Sequence, residues 1–256
     1  MSTDNTDKVS LVSHLTELRS RLINSFIILF IFFIICYFFS QQIYSFLVEP
    51  YAKAVQNDEL NRRLIFTALQ ETFLTYLKVS FFAAFFISSP IILIQIWKFI
   101  APGLYENEKK AIMPYLIATP ILFLLGGMLV YYLIMPLAIK FFLSFETSAL
   151  NTSLPIQLEA KVNEYLSLVM KLIFAFGISF QLPVVLSLLA RVGFIDSVFL
   201  KKRRKYVVVI IFIAAAILTP PDPVTQIGLA IPLLILYELS ILSVKIIEKK
   251  NKKDNA

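Results

Sequence analysis

Long apolar runs recur along this chain, and they constrain its fold more than any other feature. Each run holds about 20 residues with few charges, which is the length that crosses the hydrocarbon core of a bilayer as an α-helix. Lipid offers no hydrogen-bond partners, so backbone at that depth has to be helical or part of a closed barrel. The runs therefore predict one all-α polytopic membrane domain over residues 1–256. The six predicted transmembrane helices cover about residues 22–39, 70–96, 115–142, 164–190, 206–218 and 224–244.

The composition agrees with this prediction, and the distribution of positive charge predicts the orientation. The chain is 58% hydrophobic and 16% charged, with a formal charge of +7. Most lysines and arginines fall in alternate loops between the spans, which argues against nucleic-acid binding and follows the positive-inside rule. The basic side holds both ends of the chain. We therefore expect six spans with the N- and C-termini in the cytoplasm.

Leucines at helical spacing precede the first span. They predict an amphipathic helix over residues 11–22 that lies at the membrane surface. The first 21 residues are largely polar and carry acids, unlike a cleavable signal or an Arg-rich transit peptide. We expect the bacterial inner membrane as the location, with a thylakoid or other organelle membrane as the alternative.

The last two predicted spans are short. The apolar stretch Tyr206–Leu218 covers only about 20 Å at about 1.5 Å per residue, whereas the hydrocarbon core is about 30 Å thick. Either this pair does not fully cross the membrane, or the bilayer thins around it. We favour two short spans in a thinned bilayer, because the basic run Lys201–Lys205 and the basic tail should both stay inside.

Few residues suited to catalysis or metal binding are present. The chain has one histidine, His14, and one cysteine, Cys36. These residues are too few for a multi-histidine metal site or a disulfide framework, and they offer no convincing Ser-His-Asp triad. The sequence also has no Walker A motif and no Gly-rich nucleotide loop. We expect no metal, no cofactor and no enzymatic activity.

Polar side chains inside the spans are candidates for function, because polar and ionisable groups at membrane depth are costly. Gln181 lies well inside the fourth predicted span, just before Pro183. Proline frees a backbone carbonyl about one turn upstream, so this pair predicts a kinked helix beside a buried amide. The amide either satisfies the broken backbone or serves transport, and the two interpretations carry equal weight.

A secondary transporter of a small solute is the alternative function. Its site near the midplane would use Gln181, Lys78 and Lys171. Both lysines lie nearer the outer side, where snorkelling or pairing with Glu164 or Glu71 accounts for them. The sequence also shows no inverted repeat of the kind that secondary transporters carry.

A short loop between the second and third predicted spans, Trp97–Lys110, reads WKFIAPGLYENEKK. Its aromatic residues suit the headgroup level of a membrane. Two acids, Glu106 and Glu108, stand here on the side that is otherwise rich in lysine. They indicate a cationic ligand, and the alternative is a plain wet turn.

Four stretches, in order along the chain, resemble the TatC family, the multi-span subunit of the twin-arginine protein translocase. They read HLTELRSRL, FIAPGLYENE, FAFGISFQLP and TPPDPVTQIGLAIPLLILYE, and the resemblance covers about Leu11–Leu242. It implies a curved, glove-like arrangement of six helices whose cytoplasmic face binds the Arg-Arg signal peptides of folded proteins. It also implies TatA- and TatB-type single-span partners, self-association in a translocon, and transport driven by the proton-motive force.

The resemblance also assigns roles to particular residues. It implies signal-peptide binding by Glu17, Arg19, Phe99, Pro102, Leu104 and Glu108. It implies docking of a partner helix at Thr219, Asp222 and Gln226. Gln181 departs from the family pattern, because many members have Glu there. An amide keeps the hydrogen bonding of that site but loses the charge.

Overall fold

The computed structural model describes residues 11–56, 63–100, 109–147, 154, 156–191, 193–219 and 221–254. Over these residues the chain is mainly helical, with short non-helical connections and isolated bridges that pair Ile65 with Lys161 and Thr147 with Ile156. The helices are α1 (Leu11–Phe38), α2 (Ser40–Val55), α3 (Glu71–Ile100), α4 (Lys109–Leu129), a π-helical segment (Val130–Ile134), α5 (Met135–Leu143), α6 (Val162–Ser179), α7 (Leu182–Arg191), α8 (Ser197–Leu218) and α9 (Pro223–Asp254).

Five helical stretches of the described chain are long and apolar enough to cross a membrane. They are Leu15–Phe38, Glu71–Ile96, Pro114–Leu143, Val162–Arg191 and Pro223–Lys249. The fifth predicted span lies in α8, which is longer than the 13 apolar residues suggested. The basic run Lys201–Lys205 is itself helical and fills the first half of α8. Its charges keep α8 out of this set of five.

The N-terminal helix has no break where the sequence suggested one. A surface helix over 11–22 was expected to precede a separate span, but α1 runs continuously from Leu11 to Phe38. No glycine or proline interrupts this stretch, and the hydroxyl of Ser25 donates to the carbonyl of Arg21 across the expected junction (2.9 Å). α1 packs chiefly against α3.

The mixed composition of residues 41–70 predicts a long loop after the first span, but Ser40–Val55 forms the helix α2. α2 buries Leu47, Pro50 and Tyr51. Leu47 and Tyr51 stand one turn apart, so they share one face of the helix. The hydroxyl of Tyr165 on α6 donates to the carbonyl of Leu47 (3.1 Å) and ties the two helices together. Pro50 is tolerated inside this helix because packing of the buried face outweighs the lost hydrogen bond.

Prolines alter the long helices without ending them. Pro90 predicts a break near the end of the second span, but α3 continues to Ile100. Proline has no N–H to donate to the carbonyl one turn before it. The hydroxyl of Ser89 donates to that carbonyl, on Phe86, at 2.7 Å. In the third span the π-helical segment ends two residues before Pro136. A π-helical turn of this kind is a local irregularity that leaves the helix continuous on either side.

The core of the domain is built around α6. Leu166, Val169, Leu172 and Phe176 on this helix are fully buried. α4 approaches α6 so closely that a Cβ atom on Gly126 would lie 2.8 Å from the carbonyl oxygen of Phe176. A glycine at this position therefore brings the backbones of the third and fourth spans into contact.

The predicted kink in the fourth span is confirmed. α6 ends at Ser179 and α7 begins at Leu182, so the break falls at Phe180 and Gln181. The N–H of Gln181 donates to the carbonyl of Ile178 (2.9 Å), which is a tighter turn than an α-helix makes.

The C-terminal helices α8 and α9 form a hairpin with polar contacts along the N-terminal half of α8. At its first turn, Glu248 accepts hydrogen bonds from the N–H and the hydroxyl of Ser197, each at 2.6 Å. Further along, Arg204 forms an ion pair with Glu238 at 2.6 Å. Arg204 of the KKRRK run is thereby held against α9, and α9 stays helical well past the predicted end of its span.

Candidate functional site

Glu17 is held in place by a basic side chain one turn along α1. Arg21 donates from Nε and Nη2 to one carboxylate oxygen of Glu17, at 2.9 and 2.6 Å. Its Nη1 donates to the side-chain oxygen of Gln95 on α3 at 3.1 Å. The side chains of Arg21 and Glu17 are 25% and 32% exposed, so the pair is partly shielded from water. The guanidinium therefore fixes a carboxylate beside the last turns of α3.

These contacts place Glu17 near the last turns of α3, which also carry Phe99. Phe99 lies one turn beyond Gln95, on the same face of α3, and is half-buried. Arg19 is exposed on α1. Three further predicted residues lie outside the described residues, namely Pro102, Leu104 and Glu108.

Sequence reasoning missed Arg21 and Gln95 as parts of this site. The spacing of Glu17 and Arg21, four residues apart on a helix, is a signal that could have found the first contact. The second contact joins residues 74 positions apart, and no local pattern predicts it.

Gln181 stands at the break between α6 and α7 and bridges to α4. Its amide nitrogen donates to the carbonyl of Thr119 at 3.0 Å and faces the carbonyl of Gly177 at 3.5 Å. The Gly177 carbonyl is the one that the tightened turn leaves without its normal helical donor. The amide of Gln181 therefore donates to backbone at the helix break, which is the first of the two interpretations given for this residue.

Two polar atoms beside this bridge have no hydrogen-bond partner among the described residues. They are the side-chain oxygen of Gln181 and the hydroxyl of Thr119, and both are buried. An unpaired buried polar atom costs roughly 1–3 kcal/mol. The site thus keeps one acceptor and one hydroxyl available inside the membrane domain.

The predicted docking cluster at the α8–α9 turn is largely engaged with its own backbone. Asp222 is buried and accepts from the N–H of Thr225 at 2.7 Å and from the Thr225 hydroxyl, which caps α9. Thr219 is also buried, and its hydroxyl donates to the carbonyl of Ala215 at 2.9 Å. Gln226 is half-buried on the first turn of α9. The contacts of Asp222 are therefore those of an N-terminal cap of α9.

The intramembrane lysines do not converge on Gln181. Lys78 donates to the side-chain oxygen of Asn163 at 2.9 Å, and not to Glu164 or Glu71 as we had considered. Asn163 opens the first turn of α6, which places it about 27 Å from Gln181 at about 1.5 Å per residue. Lys171 is exposed between them. The midplane site that a small-solute transporter would need is not assembled from these residues.

Acidic, histidine and cysteine side chains are likewise dispersed. Within the part of the chain that the structure describes, no group of three or more could hold a metal ion.

Comparisons with known proteins point to one family. Residues 13–232 match the family model of the Sec-independent protein translocase protein TatC. A TatC from Magnetococcus marinus is 48% identical over 100% of this chain and 91% of its own length. A TatC from Rickettsia prowazekii is 50% identical over 93% of this chain and 94% of its own length. The crystal structure of a twin-arginine translocase receptor, TatC, superposes with a TM-score of 0.76 at 39% identity, covering 92% of this chain and 99% of that one.

Proposed function

Because the chain belongs to the TatC family of Sec-independent protein translocases, we propose that it is the receptor that binds Arg-Arg signal peptides of folded proteins. As a member of that family it is a protein-transport component and a multi-pass protein of the bacterial inner membrane. The proposal places the peptide at the cytoplasmic face, on Glu17, Arg19, Phe99, Pro102, Leu104 and Glu108.

The contact of Arg21 with both Glu17 and Gln95 carries this proposal. It holds a carboxylate next to the end of α3, from which the loop with Glu108 follows directly in the sequence. Two acids near each other suit a pair of guanidinium groups, since arginine forks onto carboxylates. Glu17 already accepts two hydrogen bonds from one guanidinium, that of Arg21, so a peptide arginine would extend or replace an existing arrangement.

We propose a topology of six spans with both termini in the cytoplasm, in which α8 and α9 form the last two. The basic residues of α8 are exposed at one end of that helix, opposite the turn at 219–222. A hairpin with this charge pattern keeps its basic end inside and its turn at the outer side. The short apolar part of α8 then requires a locally thinned bilayer.

The proposed partners are TatA- and TatB-type single-span subunits, which join further copies of the chain in a translocon driven by the proton-motive force. Gln226 offers a half-buried polar side chain at the α8–α9 turn for a partner helix. A cysteine at Gln226 should crosslink to a single-span partner in native membranes, whereas a cysteine at Phe194, exposed at the opposite end of the hairpin, should not. If the cysteine at Phe194 crosslinks and the cysteine at Gln226 does not, the partner docks at the other end of the hairpin.

Substitution of Glu108 tests the receptor proposal. Charge-assisted hydrogen bonds are each worth roughly 1.5–3 kcal/mol. Glu108→Ala should therefore weaken binding of a twin-arginine peptide at least tenfold, and Glu108→Gln should fall between. Binding should also weaken as salt rises, because charges at the water surface are screened. The measurement is peptide affinity of the full-length protein in detergent.

Glu106→Ala is the matched control, because it removes an acid of the same loop that the resemblance does not assign. Normal peptide affinity of this variant would show that charge at position 108 matters more than the charge of the loop as a whole. Equal affinity of Glu108→Ala, Glu108→Gln and the wild type would remove these residues from the receptor site.

A further inference from the structure

An apolar cleft opens between α2, α3, the end of α4, the π-helical segment and α6. Its volume is about 470 Å³, within the range of about 300–1,000 Å³ that small-molecule sites occupy. Phe46, Ile87 and Met128 line it, and each of these side chains is about half exposed.

A second, more polar space lies next to this cleft. It measures about 300 Å³ and is lined by Glu49, Lys53 and Lys140. Tyr131 and Tyr132 line both spaces, so the two meet at this pair of rings. Tyrosines favour the level of the lipid headgroups, where the ring is apolar and the hydroxyl is wet. The two tyrosines thus separate the apolar cleft from the charged residues Glu49, Lys53 and Lys140, which we call the rim.

The charges of the rim do not balance. Lys53 forms an ion pair with Glu49 at 2.6 Å. Hydrogen bonds from Lys53 and Tyr131 hold the pKa of Glu49 below its ordinary value, so this carboxylate stays ionised at neutral pH. Lys140 is exposed, and no acid among the described residues pairs with it. The rim therefore carries one uncompensated positive charge directly above the apolar cleft.

We propose that the two spaces together bind one anionic phospholipid from the leaflet on the α2 side. An acyl chain fills the cleft along Ile87 and Met128, and the phosphate lies against Lys140. Water is excluded from the cleft by its walls and by the bilayer around it, so a chain from the adjoining leaflet is its natural occupant. In the topology proposed above, this is the outer leaflet of the membrane.

Lipid binding by the purified full-length protein tests this assignment. The protein is mixed with phosphatidylglycerol or with phosphatidylcholine of the same acyl chains, and bound lipid is counted by native mass spectrometry over a concentration series. A lysine near the headgroups contributes about 1 kcal/mol to anionic lipid binding, or about fivefold. We expect phosphatidylglycerol to bind about fivefold more tightly, and Lys140→Gln to remove that preference.

Lys161→Gln is the matched control, because Lys161 lies at the same end of the domain but lines neither space. This variant should keep the preference for phosphatidylglycerol. Met128→Trp or Ile87→Trp should fill the cleft and weaken binding of both lipids, with unfolding temperature measured to confirm that each variant is folded. The assignment is overturned if the two lipids bind equally to the wild type. It is also overturned if Lys140→Gln keeps the preference, or if both folded tryptophan variants bind lipid normally.

Discussion

Gln181 joins two irregular helices with one amide group. It faces the Gly177 carbonyl at the α6–α7 break and donates to Thr119, which precedes Pro120 on α4. The contact with Gly177 serves a carbonyl that the break leaves without its helical donor, and hydrogen bonds between helices are worth about 0.6–2 kcal/mol in membrane domains. The carboxyl group common in the family at this position would make the same bond only in its protonated form, since only that form has a proton to donate.

We expect Gln181→Leu to lower the stability of the protein by about 1–2 kcal/mol, because it removes the donor to both carbonyls. The measurement is the unfolding temperature in detergent, together with the protein level in the membrane and the transport of a folded cargo. Gln181→Glu should retain more stability than Gln181→Leu. Normal unfolding of Gln181→Leu together with lost transport would assign the side chain to the cargo path, and wild-type behaviour in all assays would leave it no role.

At the scale of the elements, the turn between α8 and α9 is a capping structure. Asp222 is buried and binds two donors of Thr225, and the Thr219 hydroxyl turns back to α8. An acid at this position is therefore explained without a ligand. A partner helix that docks here would meet side chains already fixed by the hairpin, with Gln226 as the adaptable contact.

Asp222→Ala should destabilise the hairpin by about 1 kcal/mol, the usual loss for a helix cap, and Asp222→Asn should lose less because its side-chain oxygen can still accept. The measurement is thermal unfolding of the purified protein. Gln226→Ala is the control and should unfold like the wild type. A normal unfolding temperature for Asp222→Ala, combined with loss of partner crosslinks, would make Asp222 a docking residue instead of a cap.

At the scale of the whole molecule, the proposed topology makes a direct prediction. Reporter fusions after Asn57 and after Asn151 should be external, and a fusion at Ala256 should be internal, because the positive charges lie on the side of both termini. The measurement is the activity of a reporter that folds on only one side of the membrane. An internal signal at Asn151 would contradict the six-span arrangement.

Local signals predicted the positions of the long apolar helices, and the pairing of Gln181 with Pro183 predicted the break in the fourth. Other features depend on partners that are distant in sequence. α2 looked like a loop because Pro50 and polar residues interrupt it, and its buried face is recognisable only once α6 packs against Leu47. The site at Glu17 needed Gln95, which no spacing rule connects to α1. At Pro90, the hydroxyl of Ser89 replaces the missing backbone donor to Phe86.

The spans differ in how much of their apolar surface the rest of the protein buries, and this difference bears on how each helix enters the membrane during synthesis. Only 6% of the apolar window in Leu15–Phe38 is buried by the rest of the protein, against 50% in Val162–Arg191. Most of the apolar surface of α1 is therefore left for lipid to cover, so this helix can enter the bilayer before any later helix has been synthesised. α8 has the opposite character, since its short apolar half and its basic half gain their place from α9. The apolar window of α1 thus needs little cover from later helices, whereas α8 and α9 have to enter the bilayer together.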